Sequence, residues 1–147
     1  MFGIFHRLGI KLGQRKLKRA RRQVQVHHII EQHFFNNHKL FDDNNLGKKL
    51  KHDTHNLIAL PTVSGAVEFN SRRTIHQGPH TGTTYDTKIE EDLDEFFNKL
   101  QNGVKKRKVE QELGTYIDKR RKNLKSGKTQ LRKSGNQPHS NGKIYRQ

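Results

Sequence analysis

Two adjacent histidines, His27 and His28, lie in the apolar, β-branched stretch VHHII at residues 26–30. Neighbouring side chains on a strand point to opposite faces, so the two imidazoles cannot be one packing feature repeated. Imidazole titrates near neutral pH and can act as a general base, while its neutral form binds metal ions. A histidine pair on one strand can therefore divide these two tasks between two faces.

Further residues of related chemistry follow along the chain. Asn56 opens the stretch NLIAL, which predicts a second strand, and His76 and His80 lie four residues apart in SRRTIHQGPH. On a continuous helix this spacing would place both histidines on one face. The glycine and proline between them disfavour such a helix, so we expect His80 to fold back from a loop. Together these residues indicate one shared site.

The positive charge is concentrated at the two ends of the chain. The formal net charge is +16. Residues 1–25 carry eight Lys or Arg and no acid, and residues 103–147 carry 14 Lys or Arg and three acidic residues. Residues 26–102, the centre, have a net charge of −3. Basic arms around a near-neutral centre are typical of a polyanion binder. No long amphipathic helix with an aromatic or leucine face accompanies the charge, which disfavours an acidic membrane surface as the partner. The alternative is that the basic surface serves only solubility. Acidic residues increase solubility more than basic ones, which disfavours this alternative.

The composition limits the remaining function classes. With 147 residues, of which 29% are hydrophobic, the chain predicts one small domain with arms. The absence of cysteine excludes disulfides and thiolate sites, so a metal would need histidine, carboxylate or asparagine ligands. No apolar run is long enough for a membrane span, and we expect a monomer without membrane insertion. The short apolar stretch at the start is interrupted by His6 and Arg7, so we expect neither a signal peptide nor a membrane anchor there. We interpret the chain as a module of a larger protein.

The patterns predict an α+β domain organised as strand, loop, strand and helix, with further helices. Strands are expected at Gln23–Ile30 and Asn56–Leu60, and one short helix at the apolar residues between them. Later helices are expected from Ser64 as N-cap to a stop at Gly78 and Pro79, from Lys88 to Gln101, and from Val104 to Lys125. This organisation divides the chain into a basic N-terminal arm (1–22), a folded domain (23–125) and a disordered basic tail (126–147).

Three stretches resemble the AHH group of HNH/endonuclease VII-like nucleases, known mostly as toxin modules at the ends of large bacterial secreted proteins. They are VHHII at 26–30, NLIALPT at 56–62 and SRRTIHQGPH at 71–80, followed by Tyr85, and the resemblance covers roughly residues 23–100. It implies a small ββα-metal, or His-Me finger, core. Val26 replaces the alanine that names the group, and Glu31 stands where a proline is common. Pro79 lies inside the H-x-G-x-H segment and leaves the placement of His80 open.

The resemblance assigns roles to the first two stretches. His27 would bind the metal and His28 would activate the attacking water. Asn56 would hold the strand that carries the base or orient His28 through its amide. These roles match the chemistry of phosphodiester cleavage, which needs a base for water and a cation near the charge that develops on the phosphate.

The third stretch would complete the site. His76 and His80 would be metal ligands, although one of them could contact the scissile phosphate instead. Arg72 and Arg73 are candidates for phosphate binding. Tyr85 would either bind phosphate as well or simply pack.

The leading hypothesis is therefore a metal-dependent endonuclease that uses Zn, Mg, Mn or Ni, with DNA as substrate. One alternative is an RNase of the same fold, and another is a non-catalytic, zinc-containing nucleic-acid-binding module. Three expected ligands leave a coordination position open, which favours catalysis over a closed structural site. By resemblance, the chain would be secreted as part of a larger bacterial protein, act in the target-cell cytoplasm and pair with an acidic immunity protein.

Overall fold

The computed structural model describes residues 23–42, 46–47, 49–68, 71–76 and 84–131. The predicted N-terminal arm and residues 132–147 of the predicted tail lie outside these ranges. The described residues form two strands and five helices, which confirms the α+β prediction. In chain order these are β1 (Val24–His28), α1 (Gln32–Asn37), α2 (Lys39–Asp42), β2 (Leu57–Pro61), α3 (Val63–Glu68), α4 (Thr84–Gln101) and α5 (Lys106–Ser126).

The two strands form an antiparallel sheet that carries the histidine pair at one end. The register places His27 opposite Ile58 and His28 opposite Leu57. A 3₁₀ turn, Thr54–Asn56, leads into β2, and the Asp53 carboxylate caps it by accepting a hydrogen bond from the His55 amide at 2.8 Å. The last residues of β1 therefore lie beside the turn that begins β2.

Helices α4 and α5 each bury one apolar face in the core, as their apolar periodicity predicts. Helix α4 begins at Thr84, four residues before the predicted start at Lys88, and this brings Tyr85 into the helix. The fully or nearly fully buried residues of the two helices are Tyr85, Ile89, Leu93, Phe96, Val109, Leu113, Ile117 and Leu124. None of the described helices combines the length and the apolar character that a bilayer crossing requires.

An ion pair joins α4 to α5, and a glycine ends α5. Arg120 on α5 contacts the Asp92 carboxylate on α4 at 2.8 Å, with both side chains largely buried. Gly127 ends α5 in the left-handed region with φ of 71°, which glycine adopts without steric cost. Leu131 is also buried in the core, so the first residues of the predicted tail, 126–131, belong to the described part of the protein.

The predicted helix that ends at Gly78 and Pro79 is wrong. Helix α3 ends at Glu68, and residues 71–76 are not helical. Their amides donate hydrogen bonds to distant carbonyls instead: Thr74 to Leu124 at 2.9 Å, and His76 to Pro61 at 2.8 Å. The thin apolar stripe of this segment could not bury a helix face, whereas these hydrogen bonds satisfy its backbone amides in a non-helical form.

Two smaller predictions are also wrong. Thr62, rather than Ser64, precedes α3, and its hydroxyl accepts a hydrogen bond from the Gly65 amide at 3.2 Å. The single short helix between the strands is divided into α1 and α2 by His38, which has an extended backbone conformation. Nδ1 of His38 accepts a hydrogen bond from the Leu40 amide at 3.2 Å, so this imidazole stabilises the break.

Candidate active site

His27 and His28 lie in different surroundings, as their alternation on β1 predicts. The His27 side chain is only 3% exposed. Its ring centroid lies 5.4 Å from that of His76, in an edge-to-face arrangement, and 5.5 Å from that of Tyr85. His28 is half-buried and meets a different group of residues. The inward imidazole and the outward imidazole are therefore available for different tasks.

His28 has one side-chain neighbour that orients its ring. The amide nitrogen of Gln32, on the first turn of α1, lies 3.1 Å from Nε2 of His28. An amide nitrogen only donates, so Nε2 accepts and a neutral ring carries its proton on Nδ1. Burial lowers the pKa of His28, and the positive charges of His52 and Lys51 lower it further. In the described geometry Nε2 is thus the proton-accepting nitrogen of His28, and Gln32 occupies its lone pair.

Asn56 holds the chain immediately after His28. This asparagine is completely buried. Its Oδ1 accepts a hydrogen bond from the Ile30 amide at 2.8 Å, and its Nδ2 donates to the Ile30 carbonyl at 2.9 Å. The Asn56 carbonyl accepts a third bond, from the Ile29 amide at 2.8 Å. Of the two roles predicted for Asn56, this geometry fits the one in which it holds the strand.

Arg121 on α5 fixes the backbone around Asn56, and the sequence did not single it out. Its guanidinium donates to the carbonyls of Leu57 at 2.8 Å and Thr54 at 3.3 Å, and also to the carbonyl of His55. Arg121 thus binds the carbonyls on both sides of Asn56. Arg121 could not be distinguished by sequence from the other basic residues of α5, because its neighbours Lys119 and Lys122 are exposed.

The segment 71–76 brings His76 to His27. Hydrogen bonds from the His76 amide to Pro61 and from the Thr74 amide to Leu124 tie this segment to the end of β2 and to α5. The Thr74 hydroxyl donates a further bond to the Thr129 carbonyl. His76 is therefore placed by backbone contacts at both the sheet and the helical layer.

The two candidate phosphate-binding arginines in this segment differ in their contacts. Nη1 of Arg73 donates to the Ala59 carbonyl on β2 at 3.1 Å, so part of its guanidinium is engaged with the sheet. Arg72 is exposed and has no hydrogen bond or ion pair with any residue in the described ranges. Arg72 is therefore the freer of the two cations for an anionic ligand.

Tyr85 is 3% exposed, and its hydroxyl donates to the Ile29 carbonyl at 2.6 Å. Burial raises the pKa of Tyr85 well above its ordinary value, with a smaller opposing effect of Arg120. Its contacts with His27 and with Ile29 position other groups, and the Arg120 guanidinium lies over its ring at 5.4 Å. This geometry favours the packing role that the sequence left open.

The donor set of the site is suited to a divalent metal. His27 and His76 approach each other from β1 and from the segment 71–76, although they are 49 positions apart in the chain. Neutral imidazole is a common ligand of zinc, nickel and other transition metals. His80, the third predicted ligand, lies outside the described residues.

A comparison with family models identifies the family of the chain. A family model described as "a nuclease family of the HNH/ENDO VII superfamily with conserved AHH" matches residues 11–137. The chain belongs to this AHH nuclease family. Comparisons with curated proteins and with solved structures found no match. A nuclease family implies a nucleic-acid substrate, which is a polyanion.

One departure from the AHH family pattern is accommodated by the backbone. Glu31 stands where a proline is common in the AHH pattern, and it forms the N-cap of α1 with φ of −65°. A proline would adopt this backbone angle as well, so glutamate is accommodated without distortion. Burial raises the pKa of Glu31 to about 7, and the neighbouring Asp86 carboxylate contributes to the shift.

Proposed function

We propose that this AHH nuclease is a metal-dependent endonuclease that hydrolyses phosphodiester bonds of DNA. The observation that carries the proposal is the division of the histidine pair: His27 is buried against His76, while His28 presents its Nε2 beside Gln32. One strand thus offers a metal-binding imidazole and a proton-accepting imidazole at consecutive positions.

In this mechanism His28 is the general base. Nε2 of His28, which accepts a hydrogen bond from Gln32 in this structure, would exchange that bond for the attacking water and take a proton from it. The water oxygen bonds to phosphorus as the bond from phosphorus to the leaving oxygen breaks. Asn56 and Arg121 are positioning residues, because Asn56 holds the backbone just after the base and Arg121 holds the backbone on both sides of Asn56. Hydrogen bonds that fix a base in this way favour catalysis, since small displacements of reacting groups lower rates strongly.

His27 and His76 would hold the metal ion, with His80 as the third ligand. When bound, the ion would stabilise the negative charge that develops on the phosphate and on the leaving oxygen. Arg72 would contact a phosphate oxygen next to the scissile bond, since it is exposed and shares a segment with His76. Tyr85 would hold His27 in place by packing against its ring.

The charge distribution supports a long polyanionic substrate. Exposed basic residues line α5, at Lys106, Arg107, Lys108, Lys119, Lys122 and Lys125. Each Lys or Arg that contacts a phosphate releases counterions, which makes binding sensitive to salt. Such contacts are made with the backbone of the nucleic acid, so they give affinity without sequence preference.

We also propose a biological context, which rests on the family resemblance and the charge. The nuclease would be the toxic module of a secreted bacterial effector and would act in the cytoplasm of the target cell. An acidic immunity protein in the producing cell would bind it, and a net charge of +16 would accelerate that association electrostatically. The nuclease itself would act as a monomer.

Incubation of the purified chain with supercoiled plasmid tests the function. We expect nicking and linearisation that EDTA abolishes and that added Zn²⁺, Mn²⁺, Ni²⁺ or Mg²⁺ restores. A parallel incubation with single-stranded and structured RNA separates the two substrates. Cleavage of RNA alone would replace DNA by RNA in the proposal, and full cleavage of plasmid in EDTA would contradict metal dependence.

A further inference from the structure

Glu31, His33 and Asp86 form a cluster that the nuclease mechanism does not use. Glu31 is the N-cap of α1, His33 lies in its first turn, and Asp86 lies in the first turn of α4. Nδ1 of His33 is 3.3 Å from a Glu31 carboxylate oxygen, and Nε2 of His33 is 3.2 Å from an Asp86 carboxylate oxygen. We propose that these three residues bind a second divalent cation, separate from the one assigned to His27 and His76.

The geometry of the cluster suits a small cation. One potential ligand atom from each residue lies within 4.8 Å of the other two, so an ion among them could reach all three. An imidazole nitrogen with two carboxylate oxygens is a mixed donor set that zinc and manganese accept. The remaining coordination positions would be filled by water, because His33 is about one-third exposed (35%).

The burial of the carboxylates calls for a balancing charge. The Glu31 side chain is 13% exposed and that of Asp86 is 11% exposed. Oε1 of Glu31 is buried and has no hydrogen-bond partner among the described residues. Buried carboxylates are costly unless they are paired or bind metal. One imidazole can supply at most one positive charge, whereas a divalent cation balances both carboxylates once binding has ionised them.

The position of the cluster indicates a structural role. Its three residues join α1 to the beginning of α4, two elements that are far apart in sequence. Asp86 directly follows Tyr85, whose ring packs against His27 and whose hydroxyl binds Ile29. A cation at this cluster would therefore fix the start of α4. Through Tyr85 it would also fix the position of the His27 ring.

Zinc stoichiometry of the full chain tests the proposal. The chain and its variants are dialysed against micromolar Zn²⁺, and bound zinc is measured by atomic emission. We expect Glu31→Gln/Asp86→Asn to hold one ion fewer than the wild-type chain and to lose the increase in thermal stability that zinc gives. Glu90→Gln/Glu95→Gln, which removes two exposed carboxylates from α4, is the matched control and should bind zinc like the wild type. Unchanged zinc binding by Glu31→Gln/Asp86→Asn would overturn the proposal.

Two further variants complete the test. His27→Ala/His76→Ala removes ligands of the catalytic ion only, so it should retain the ion at the Glu31 cluster. If His27→Ala/His76→Ala binds as much zinc as the wild type, the assignment of the catalytic metal ligands is contradicted. The proposal of a second site at Glu31, His33 and Asp86 does not depend on that result. Should Glu31→Gln/Asp86→Asn not fold, His33→Ala replaces it: we expect zinc affinity at this site to fall by about tenfold or more. An unchanged affinity would likewise overturn the site.

Discussion

Asn56 and Ile30 are joined by two hydrogen bonds, one in each direction between the asparagine amide and the isoleucine backbone. Through this pair, a buried side chain in the turn just before β2 fixes the chain two residues after His28. The amide of Asn56 takes the place of a backbone partner, because β1 ends at His28 and leaves Ile30 outside the sheet register. The position of the base therefore depends on both strands.

Replacement of Asn56 by alanine should impair both stability and cleavage. The variant leaves the buried amide and carbonyl of Ile30 without partners, and each such group costs about 1–3 kcal/mol. We expect a lower free energy of unfolding in urea and, at a temperature where the variant is folded, a strongly reduced kcat. Asn98→Ala on the exposed face of α4 is the control. A folded Asn56→Ala variant with normal kcat would show that the Asn56–Ile30 pair does not position His28.

Arg121→Lys tests whether the three carbonyl contacts position the site. Lysine keeps the charge, but its ammonium group cannot reproduce the planar array of donors. We expect kcat to fall while KM for DNA stays nearly constant, because Arg121 contacts the backbone around Asn56 and leaves the substrate untouched. Lys122→Ala, which removes an exposed neighbouring charge, should change mainly KM and its salt dependence. A rise in KM alone for Arg121→Lys would identify Arg121 as a substrate contact instead.

Replacement of His27 or His76 by alanine should reduce metal affinity and cleavage together. Loss of an imidazole ligand is expected to weaken metal binding by at least about tenfold. Calorimetric titration with metal measures the first effect, and plasmid cleavage measures the second. A higher metal concentration should restore part of the rate in each variant. Unaltered metal affinity in both variants would remove these histidines from the metal site.

Stability at acidic pH should report on the contact between α4 and α5. Burial alone would raise the pKa of Asp92, but hydrogen bonds from Lys88 and Arg120 hold it below its usual range. A carboxyl with a lowered pKa stabilises the fold above its unfolded pKa and loses that contribution as the pH falls through the folded value. We therefore expect Asp92→Asn to be less stable than the wild type at pH 7. The difference should shrink below about pH 4, near the ordinary aspartate pKa.

Urea unfolding of both proteins over this pH range measures the effect. Glu90→Gln, which alters an exposed carboxylate on the same helix, serves as the control. A difference between Asp92→Asn and the wild type that stays constant from pH 7 to pH 3 would contradict the linkage to Asp92.

The sequence was sufficient to predict the elements with strong periodicity. Both strands and the two long helices follow patterns of apolar residues that need burial, and Ile89, Leu93 and Ile117 are buried as their spacing requires. The segment that carries His76 was predicted to be helical, because residue types alone do not reveal where its amides find partners. Those partners, the carbonyls of Pro61 and Leu124, are set by the tertiary structure.

The site shows the same division. Histidine chemistry and spacing led to His27, His28 and His76, and the structure brings His27 and His76 together. Arg121 and the Glu31–His33–Asp86 cluster were not predicted. Arg121 is one of several basic residues on α5, and its role appears only when its contacts with the carbonyls around Asn56 are known. Asp86 was hidden because α4 begins earlier than its apolar periodicity indicated.

The most direct test of the mechanism is single-turnover cleavage of saturating DNA by His28→Ala. Removal of a general base is expected to lower the rate by about 10²–10⁴-fold. DNA affinity and metal content should stay close to the wild-type values, since His27 and His76 remain. His52→Ala, which removes an exposed imidazole near His28, should retain most of the activity. Cleavage by His28→Ala at the wild-type rate would contradict the assignment of His28 as the base.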